Sequence, residues 1–579
     1  MDDMNTQFDL SDTPHEQLLE AQRLMAIYKN NAARYAYQLS LLGVDKNQIL
    51  GSHRSQPSQS PGLSKYQAQT LIFNTRLIAY PSVIVMCKSE SDVITAYQLA
   101  VKFNLPVKIR SGGHDHEGEC TGNDVVLLDL SGLKRISVKQ DSKGYLVRIG
   151  AGYRFYQLVP LLADTENGTR PALTIPHGTC ATVGLAGYIQ GGGWGPWTRL
   201  HGMCCEHLIE ARVLLESGEL VVVNEEHYSD LLWALRGGGA LSYGIVLEFT
   251  LRAFEIPDEI HRFELDWNTQ EVDTGQASTY SVLEQWENTI NDKSTVELVG
   301  TNLKINAIPS TFITEKECIR DLQHPSTMYG YWNGSEEKLK QFAKQNFSTG
   351  RLKITGTDSK HRYDSSLMGH WARNSLYDVR RLSSGPNQSK PFTPDFDSPA
   401  PHKITSKVVA EKGLGDLGKE QLIQSLTSSL VFEDNESLGL FCYVTLGAIS
   451  GPFYAKDTNE TASKRVAFPY ATSQYTIQYQ TWWNEKVYEV EKGQHNPVYN
   501  YVNRALDWME VCRDTHICGT RGAFISFKDS SIPTREYFQQ HYQSLIQTKE
   551  KYSGLCQDIQ PGSASDIGYN HLRSRKTIY

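Results

Sequence analysis

Two glycine-rich turns, each holding a nucleophilic side chain, constrain this chain more than any other feature of its sequence. The first reads Arg110-Ser111-Gly112-Gly113-His114; the second begins at Gly178-Thr179-Cys180 and continues into the run Gly191–Gly195. The two nucleophiles, His114 and Cys180, stand 66 residues apart (180 − 114). Glycines let backbone amides approach a phosphate closely, and an imidazole or a thiolate can form a covalent bond. The turns therefore predict a large, anionic, covalently held cofactor that carries the chemistry.

Length and composition are typical of a globular protein with more than one domain. At 579 residues the chain exceeds one ordinary hydrophobic core, and 40% of its residues are hydrophobic while 21% are charged. A net charge of −8 argues against nucleic acid as a partner. No apolar run is long enough to span a bilayer. We predict neither a nucleic-acid nor a membrane partner, and no metal site.

The N-terminal residues bear on localisation. Met1 to Leu10 are acidic and polar and lack the basic and apolar regions of a signal peptide. The ten cysteines are scattered along the chain, which is typical of reduced, buried thiols rather than of a disulfide framework. Both observations favour the cytoplasm. Six Asn-x-Ser/Thr sequons would fit secretion, so that alternative stays open.

A helical extension precedes the main body of the chain. Thr13-Pro14-His15-Glu16 is typical of a helix start, and apolar residues recur at helical spacing from Leu18 to Leu42, with Gly43 at the end. This helix either packs on the main body or mediates self-association, which would make the protein a homodimer. Gly51 to Gly62 is rich in serine and proline and predicts a linker.

Strands and helices alternate after the linker. Val83–Met86 and Val107–Arg110 predict short buried strands, and Ser89-Glu90-Ser91-Asp92 predicts the capped start of a helix between them. Beyond about Ile256 the glycine motifs become rare, and strand-like alternation with long helices follows. Ser383 to His402 contains five prolines and predicts an exposed loop.

These segments resemble the berberine bridge enzyme-like flavoproteins of the vanillyl-alcohol oxidase superfamily, from about residue 75 to the C-terminus. The family pattern Arg-Ser-Gly-Gly-His matches Arg110 to His114, and Gly-x-Cys-x-Thr-Val-Gly matches Gly178 to Gly184. Gly-Gly-Gly-aromatic-Gly matches Gly191 to Gly195, and Trp-Ala-Leu-Arg-Gly-Gly-Gly matches Trp233 to Gly239. Near the end, Asn500-Tyr501 looks like the family's Asn-Tyr-x-Asp, and Asn570 to Arg573 looks like its terminal Asn-x-x-Arg.

The resemblance implies FAD bound by two covalent bonds, through His114 to the 8α-methyl carbon and through Cys180 to C6 of the isoalloxazine ring. A buried core histidine and a small core cysteine are the structural alternatives for these two residues. The remaining cofactor-binding residues that the pattern implies are Arg110, Ser111, Gly112, Gly113, Asp115, Gly178, Thr182, Val183, Gly184, Gly187, Gly191, Gly192, Gly193, Gly195, Gly244, Ile245, Val246, Asn500 and Asn570.

The family also implies catalytic residues. The tyrosine of its Asn-Tyr motif is a common base, which points to Tyr501, and the alternative is a tyrosine that packs under the flavin. The segment Tyr475–Trp482 alternates like a strand and resembles the family strand behind the substrate, with Gln478 at the catalytic Gln/Glu position. Thr476 stands at the family's Lys position, and strand periodicity places Thr476, Gln478 and Gln480 on one face. Glutamine cannot abstract a proton, so we expect Gln478 to orient the substrate.

Several positions depart from the family pattern. His116 replaces a frequent Tyr, Trp194 replaces a frequent Tyr or Phe, and Tyr188 replaces a His that touches the flavin. Asn503 stands where the Asn-Tyr motif has Asp. Losing the Lys at Thr476 removes a cation that could lower the pKa of Tyr501. We expect His116, Trp194, Thr476 and Gln480 to line the substrate pocket.

The fold implied is α+β: a PCMH-type FAD-binding domain of two subdomains, and an α/β substrate domain with a large antiparallel sheet backed by helices. The expected boundaries are 1–70 for the helical extension and linker, 71–256 for the FAD domain, 257–495 for the substrate domain and 496–579 for a segment that returns to the FAD domain. We expect hydride transfer from a small-molecule alcohol, sugar or secondary metabolite to flavin N5. Val183, at the oxygen-gating position of the family, favours O2 as acceptor with release of H2O2. A dehydrogenase with another acceptor, an oxidative cyclase, and a flavin-binding protein without turnover are the alternatives.

Overall fold

The structure is a computed structural model that describes residues 30–51, 64–240, 242–269, 275–310, 318–358, 399–432, 439–483, 487 and 500–552. Most of the predicted N-terminal helix and the linker lie outside these residues, as does Asn570. The described part of the extension is a helix capped by Asn30, and the chain turns at Gly43 with a φ of 98°. Across the described ranges, no helix combines the length and the apolar character needed to cross a bilayer.

The helices lie along the whole described chain. Their bounds are Asn31–Leu41 (α1), Lys65–Thr70 (α2), Glu90–Lys102 (α3), Phe155–Ala163 (α4), Leu185–Gln190 (α5), Thr198–His201 (α6), Ser229–Leu235 (α7), Thr279–Asn291 (α8), Glu336–Asn346 (α9), Gly415–Ser425 (α10), Asn459–Arg465 (α11), Tyr501–Asp514 (α12), Thr534–Phe538 (α13) and Tyr542–Tyr552 (α14).

The first part of the chain contains two small sheets. The first has the order β1-β2-β4-β3, in which β2, β4 and β3 run parallel and β1 is antiparallel to β2. The second is antiparallel with the order β5-β6-β10-β8-β9, and β7 pairs with β10. Their strands are Ile49–Gly51 (β1), Val83–Met86 (β2), Val107–Arg110 (β3), Val126–Asp129 (β4), Ile136–Asp141 (β5), Gly144–Gly150 (β6), Leu173–Thr174 (β7), Leu208–Leu214 (β8), Leu220–Val223 (β9) and Ile245–Glu255 (β10).

A large antiparallel sheet follows, with the order β15-β11-β14-β12-β18-β19-β16-β20. Beside it, β13 and β17 form a short parallel pair. The strands are Ile260–Trp267 (β11), Leu298–Asn306 (β12), Ile308–Pro309 (β13), Ser326–Trp332 (β14), Arg351–Asp358 (β15), His402–Val409 (β16), Thr427–Ser428 (β17), Leu440–Ala448 (β18), Tyr475–Trp483 (β19) and Thr520–Arg521 (β20). The α+β prediction is confirmed.

Alternation along β19 separates two environments. Tyr475, Ile477 and Tyr479 point into an apolar core shared with the helices α8, α9, α10 and α12, which we call the second core. The intervening residues Thr476, Gln478 and Gln480 therefore point to the opposite side. All three are buried. We call this side of the sheet the polar face.

The C-terminal segment serves both halves of the molecule. Helix α12 packs in the second core, and β20 extends the large sheet. Contact with the first core, which is the apolar cluster around the two small sheets, begins at Ala523 and continues through Phe538 and Leu545. The return to the first domain thus falls inside the expected 496–579 segment, but it starts well after residue 496.

One expectation about this half is wrong. The end of the proline-rich stretch that we expected to be an exposed loop is buried, because Ala400 and His402 are 3% and 0% exposed. His402 begins β16 and pairs with Trp482 of β19. Its backbone is held by Asn74, whose side chain donates to the His402 carbonyl and accepts from the His402 amide. Residues 383–398 lie outside the described ranges.

Candidate functional site

The two glycine-rich turns meet in the folded chain. The first turn leaves the carboxyl end of β3, and the second leads into α5. Gly112 and Gly184 pack backbone against backbone, so that a Cβ on Gly112 would lie 2.3 Å from the Gly184 nitrogen. The His114 Nε2 atom lies 2.8 Å from the Thr182 hydroxyl. This contact brings His114 to the segment that holds Cys180, two residues before Thr182.

The environment of His114 keeps its imidazole neutral. The ring stacks on Phe73 with centroids 3.8 Å apart. Burial lowers the pKa of His114 well below its usual value, and the nearby charges of Arg154 and His116 lower it further. A neutral imidazole has a lone pair, which is the form that attacks an electrophilic carbon.

Cys180 lies in a half-buried position of the second turn. Behind it, the buried His177 binds the Trp197 indole NH at 2.9 Å and the Gly178 carbonyl at 2.8 Å. Burial lowers the pKa of His177 to about 4. These contacts fix the backbone just before Cys180.

The turn after α5 requires glycine at three positions. Gly192 and Gly193 have φ angles of 109° and 82°, in the region that side chains rarely adopt. Gly195 leaves no room for a Cβ, which would lie 2.0 Å from the His177 carbonyl oxygen. By contrast, Gly187 is exposed and its Cβ position is open. The backbone can therefore approach a ligand closely along this turn.

Two polar atoms beside this turn remain unsatisfied among the described residues. The Tyr188 hydroxyl and the Gln190 Oε1 atom are buried without a hydrogen-bond partner there. Tyr188 packs edge-on against Phe155, and its ring lies against Gly193. Buried polar atoms without a partner are costly and indicate that another group belongs nearby. Together with the glycine turns, they fit a large polar cofactor such as FAD.

Three of the expected cofactor-binding side chains are engaged in the protein itself. Arg110 forms a buried ion pair with Asp129 at 2.6 Å and donates to the Gln69 carbonyl at 2.6 Å. Asp115 accepts from the amides of Glu117 and Glu119 at 3.0 and 2.9 Å. The Ser111 hydroxyl donates to the Ala151 carbonyl at 2.7 Å. The side chains of Arg110 and Asp115 thus stabilise the first turn from within the protein.

Of the other residues expected to bind the cofactor, three lie close to the first turn and Asn500 does not. Gly244, Ile245 and Val246 lead into β10 beside Leu247, which accepts from the Ala151 amide. Ala151 in turn accepts from Ser111, so this strand lies close behind the first turn. Asn500 is exposed and caps α12, accepting from the Asn503 amide. Its position in the helix cap does not support cofactor binding.

The polar face lies on the side of the large sheet away from the helices. Gln478 pairs across the strands with Thr445 and Ser406, and its amide donates to Thr476 at 2.8 Å. Gln480 accepts from the Tyr443 hydroxyl at 3.1 Å and from the Trp482 indole at 2.9 Å. The cluster of Trp482 and Tyr443 also contains Phe73, the ring that stacks on His114. The polar face therefore adjoins the first turn.

Trp194 joins the glycine turn to this face. Its indole donates to the Ala448 carbonyl of β18 at 2.8 Å, and its ring covers Gly447 next to Thr476. Trp194, Thr476, Gln478 and Gln480 are thus brought together between the glycine turn and the sheet.

Tyr501 does not reach this site. It is the first residue of α12, packs edge-on against Phe432 at 4.7 Å and lies in the second core. Because α12 covers the side of β19 that carries Tyr475 and Tyr479, Tyr501 is separated from Gln478 by the sheet. Its location contradicts the assignment as a base beside the cofactor.

The segment Ser526-Phe527-Lys528-Asp529, rather than Asn500-Tyr501, lies beside the two glycine turns. The Ser526 hydroxyl donates to the Gly191 carbonyl at 3.1 Å, and Lys528 faces Asp115 at 3.4 Å. Phe527 stacks on His116 with centroids 5.9 Å apart. Asp529 follows Phe527 by two residues, the spacing of Tyr and Asp in Asn-Tyr-x-Asp, whereas Asn503 stands at that position after Tyr501. An aspartate at this spacing is the sequence signal that could have pointed to this segment. At this site the tyrosine position is therefore occupied by Phe527.

Two further residues were missed by the sequence analysis. Lys304 of β12 lies over the Tyr443 ring, with Nζ 4.3 Å from the centroid, so a cation does approach the polar face, although not at Thr476. His402 binds His116 ring to ring at 2.9 Å. Lys304 and His402 lie on strands that no motif marks, so their approach depends on the register of the sheet.

Comparisons with known proteins indicate an FAD-binding protein. The FAD binding domain family matches residues 81–224. Berberine bridge enzyme-like 21 of Arabidopsis thaliana is 26% identical over 515 residues, which cover 86% of this chain and 85% of the relative. Tetrahydroberberine oxidase of Berberis wilsoniae is 30% identical over 309 residues, which cover 52% of this chain and 54% of the relative.

Solved structures share the fold at low sequence identity. Wild-type BBE-like 1 of Physcomitrella patens superposes with a TM-score of 0.62 at 22% identity, over 89% of this chain and 96% of that chain. Glucooligosaccharide oxidase of Acremonium strictum, described with a 6-S-cysteinyl, 8α-N1-histidyl FAD, superposes with a TM-score of 0.66 at 18% identity, over 93% and 98%. The fold and the two turns define an FAD-linked oxidoreductase with a PCMH-type FAD-binding domain. Within that class, its relatives include a berberine bridge enzyme-like protein at 26% identity over most of both chains.

Proposed function

We propose that this enzyme carries FAD on two covalent bonds, to His114 and to Cys180, and oxidises the CH–OH group of a small molecule with O2 as electron acceptor. The observation that supports the double attachment most directly is the packing of Gly112 on Gly184 together with the His114–Thr182 contact of 2.8 Å. Both contacts bring together the two turns that hold the nucleophiles. Two bonds at one edge of the ring system would fix the flavin and withdraw electron density from it.

Different residues of this chain would bind different parts of the cofactor. The backbone of the two turns could approach its phosphates, because Gly113 and Gly193 adopt left-handed angles that side chains rarely adopt. His114 offers a neutral imidazole, held by Phe73 and Thr182. When bound, FAD supplies a two-electron acceptor for a hydride.

The polar face supports a hydroxylated donor. Gln478, Gln480 and Thr445 present amide and hydroxyl groups that can orient a donor's oxygen atoms, while Trp194 supplies an aromatic surface. Among its relatives are a tetrahydroberberine oxidase and, by fold, oxidases of gluco-, chito- and xylooligosaccharides. An alcohol or sugar donor is the first choice, and oxidative cyclisation of a secondary metabolite is the second.

Val183 supports oxygen as the acceptor. It is half-buried between Thr182 and Gly184, at the contact of the two turns. A small side chain at this place leaves a path for O2, whereas a bulkier one would narrow it. Oxidation of the donor would then yield one carbonyl group and one H2O2 for each O2 consumed.

The test has two parts. Mass spectrometry of acid-unfolded protein should show the added mass of FAD, and protein without that mass would contradict covalent attachment. A panel of cellobiose, chitobiose, xylobiose and tetrahydroberberine should then be mixed anaerobically with the enzyme, followed by admission of air. Bleaching of the flavin and rapid return of colour with peroxide would support the oxidase; bleaching without return in air would identify a dehydrogenase instead.

A further inference from the structure

Two imidazoles are joined in the interior, next to the first glycine turn. His116 Nδ1 and His402 Nε2 lie 2.9 Å apart, and His402 Nδ1 lies 2.8 Å from the Ala400 carbonyl oxygen. The two histidines are 286 residues apart in the chain. His402 is fully buried, and its ring stacks on Trp482 with centroids 3.9 Å apart.

These contacts fix where the protons lie. A carbonyl oxygen can only accept, so His402 Nδ1 must carry a proton and donate to Ala400. In a neutral imidazole the other nitrogen is then an acceptor, so His402 Nε2 receives a proton from His116 Nδ1. His116 in its neutral form therefore has its lone pair on Nε2. Among the described residues, none forms a hydrogen bond with that atom.

The surrounding charges agree with two neutral rings. Burial, together with the charges of Lys528 and Lys403, lowers the pKa of His116 to about 4 against the opposing charge of Asp115. Burial lowers the pKa of His402 well below its usual value, with further contributions from His116, Arg76 and His114. The cations are themselves paired, Lys528 with Asp115 and Lys403 with Glu117 and Asp529.

The pair lies where a proton acceptor is needed. His116 is two residues from His114 and stacks on Phe527, the ring that occupies the tyrosine position of the motif. His402 faces Trp482, whose indole binds Gln480 of the polar face. The pair thus joins the cofactor turn to the substrate side, while Tyr501 lies beyond the sheet.

We propose that His116 is the catalytic base, and that His402 is the residue that positions it. This assignment rests on the proposed oxidation of a CH–OH donor. The donor's O–H proton would pass to His116 Nε2, the hydride released from the donor carbon would go to oxidised FAD, which supplies the two-electron acceptor when bound, and the donor would be left with a C=O bond. The new positive charge on His116 is stabilised through its Nδ1–H, which donates to the His402 Nε2 atom.

The protonation state can be measured without any donor. Long-range ¹H–¹⁵N spectra of ¹⁵N-histidine holoenzyme, assigned by comparison with His116→Gln and His402→Gln, should show both rings neutral with Nδ1–H between about pH 6 and 8. A charged His116 ring at neutral pH, or a neutral ring with its proton on Nε2, would overturn the proposal.

Kinetics test the base itself. With whichever panel compound bleaches the flavin fastest, His116→Gln should slow anaerobic flavin reduction by roughly 10²–10⁴-fold, with the flavin still attached. The residual rate should rise with hydroxide concentration, because solvent must then take the proton, and a merely structural role would not produce this rise. His402→Gln can still accept from Nδ1–H and should lose less than His402→Leu.

One control variant, at His324, and one alternative base, Tyr443, make the result interpretable. His324 is also a fully buried imidazole with a pKa of about 4, held between Thr279 and Thr427, and its replacement by Gln should leave the reduction rate unchanged. If Tyr443→Phe abolished reduction while His116→Gln did not, Tyr443 would be the base and the proposal would fall. If no donor bleaches the wild type, the proposed function fails, and the spectra still decide the state of the histidine pair.

Discussion

Because the two turns are in contact, we predict that one methyl group added at Gly112 moves the two attachment residues, His114 and Cys180, apart. In Gly112→Ala the new Cβ would lie 2.3 Å from the Gly184 nitrogen, whereas ordinary contacts begin at 3.4 Å. The turns must therefore part by about 1.1 Å (3.4 − 2.3). Displacements of about 1 Å at a reacting group can cost roughly 10²-fold in rate. We expect His114 to remain linked while the bond at Cys180 forms slowly or not at all.

The assay is peptide mapping of the unfolded, digested holoenzyme. Wild type should give one flavin-bridged pair of peptides, and Gly112→Ala should give flavin on the His114 peptide with a free Cys180 peptide. Gly350→Ala is the control, because its Cβ would press on Trp267 at 2.7 Å in the large sheet, far from the turns. Both variants should be destabilised by about 1–3 kcal/mol. A complete bridge in Gly112→Ala would refute the reasoning.

Four further predictions concern single residues. Lys403→Met leaves the buried carboxylates of Glu117 and Asp529 facing each other and should cost about 3–5 kcal/mol in chemical denaturation, whereas Lys464→Met breaks only an exposed pair with Glu460 and should cost at most about 0.5 kcal/mol. Lys403 lowers the pKa of Asp529 in the folded protein, so the ion pair stabilises the fold above the ordinary carboxyl pKa. This stabilisation should be lost as the pH falls from that value through the lowered pKa of Asp529. A stability difference between wild type and Lys403→Met that persisted below that range would contradict this explanation. Tyr501→Phe should reduce turnover far less than the roughly 10²-fold expected for loss of a base. A fall of that size or more in the stopped-flow rate of flavin reduction would show that Tyr501 is the base after all. Val183→Leu should slow reoxidation of the reduced enzyme by air without changing its reduction, and unchanged reoxidation would remove Val183 from the oxygen path. Cys180→Ala should stay yellow after unfolding because His114 still holds the flavin, and colourless unfolded protein would contradict that.

The sequence was sufficient where local chemistry decides the structure. The strand–turn pattern at Val107–Gly113 predicted both the β-strand and the glycine turn, because few residues other than glycine allow such close backbone approach. The alternation in Tyr475–Trp482 predicted which side chains share a face, because the side-chain period of a strand is two. Thr476, Gln478 and Gln480 are indeed on one side of β19.

The sequence was insufficient where register and distant pairing decide. Asn500-Tyr501 matches two residues of a motif, yet α12 carries Tyr501 into the second core, and the acid of the motif is found at Asp529. His402 ends a stretch whose prolines favour an exposed loop, but pairing with Trp482 buries it. Nothing local marks its contact with His116, since that contact exists only once the large sheet lies against the first domain.

It is equally hard to predict from sequence which side chains of the matched pattern bond to other protein groups instead of the cofactor. Arg110 and Asp115 belong to the matched pattern, and the pattern alone suggests that they touch the cofactor. In the structure Arg110 neutralises the buried Asp129, and Asp115 caps a turn and faces Lys528. Both therefore shape the turn that presents His114, which is a reason for their identity that needs no direct contact with FAD.

The central claim is that one flavin joins two distant segments of this chain. Tandem mass spectrometry of the digested, unfolded holoenzyme tests it directly, by sequencing any peptide that absorbs as a flavin. The account predicts a branched species in which His114 and Cys180 are linked through the same isoalloxazine. Flavin recovered entirely as free FAD, or attached at neither residue, would contradict it.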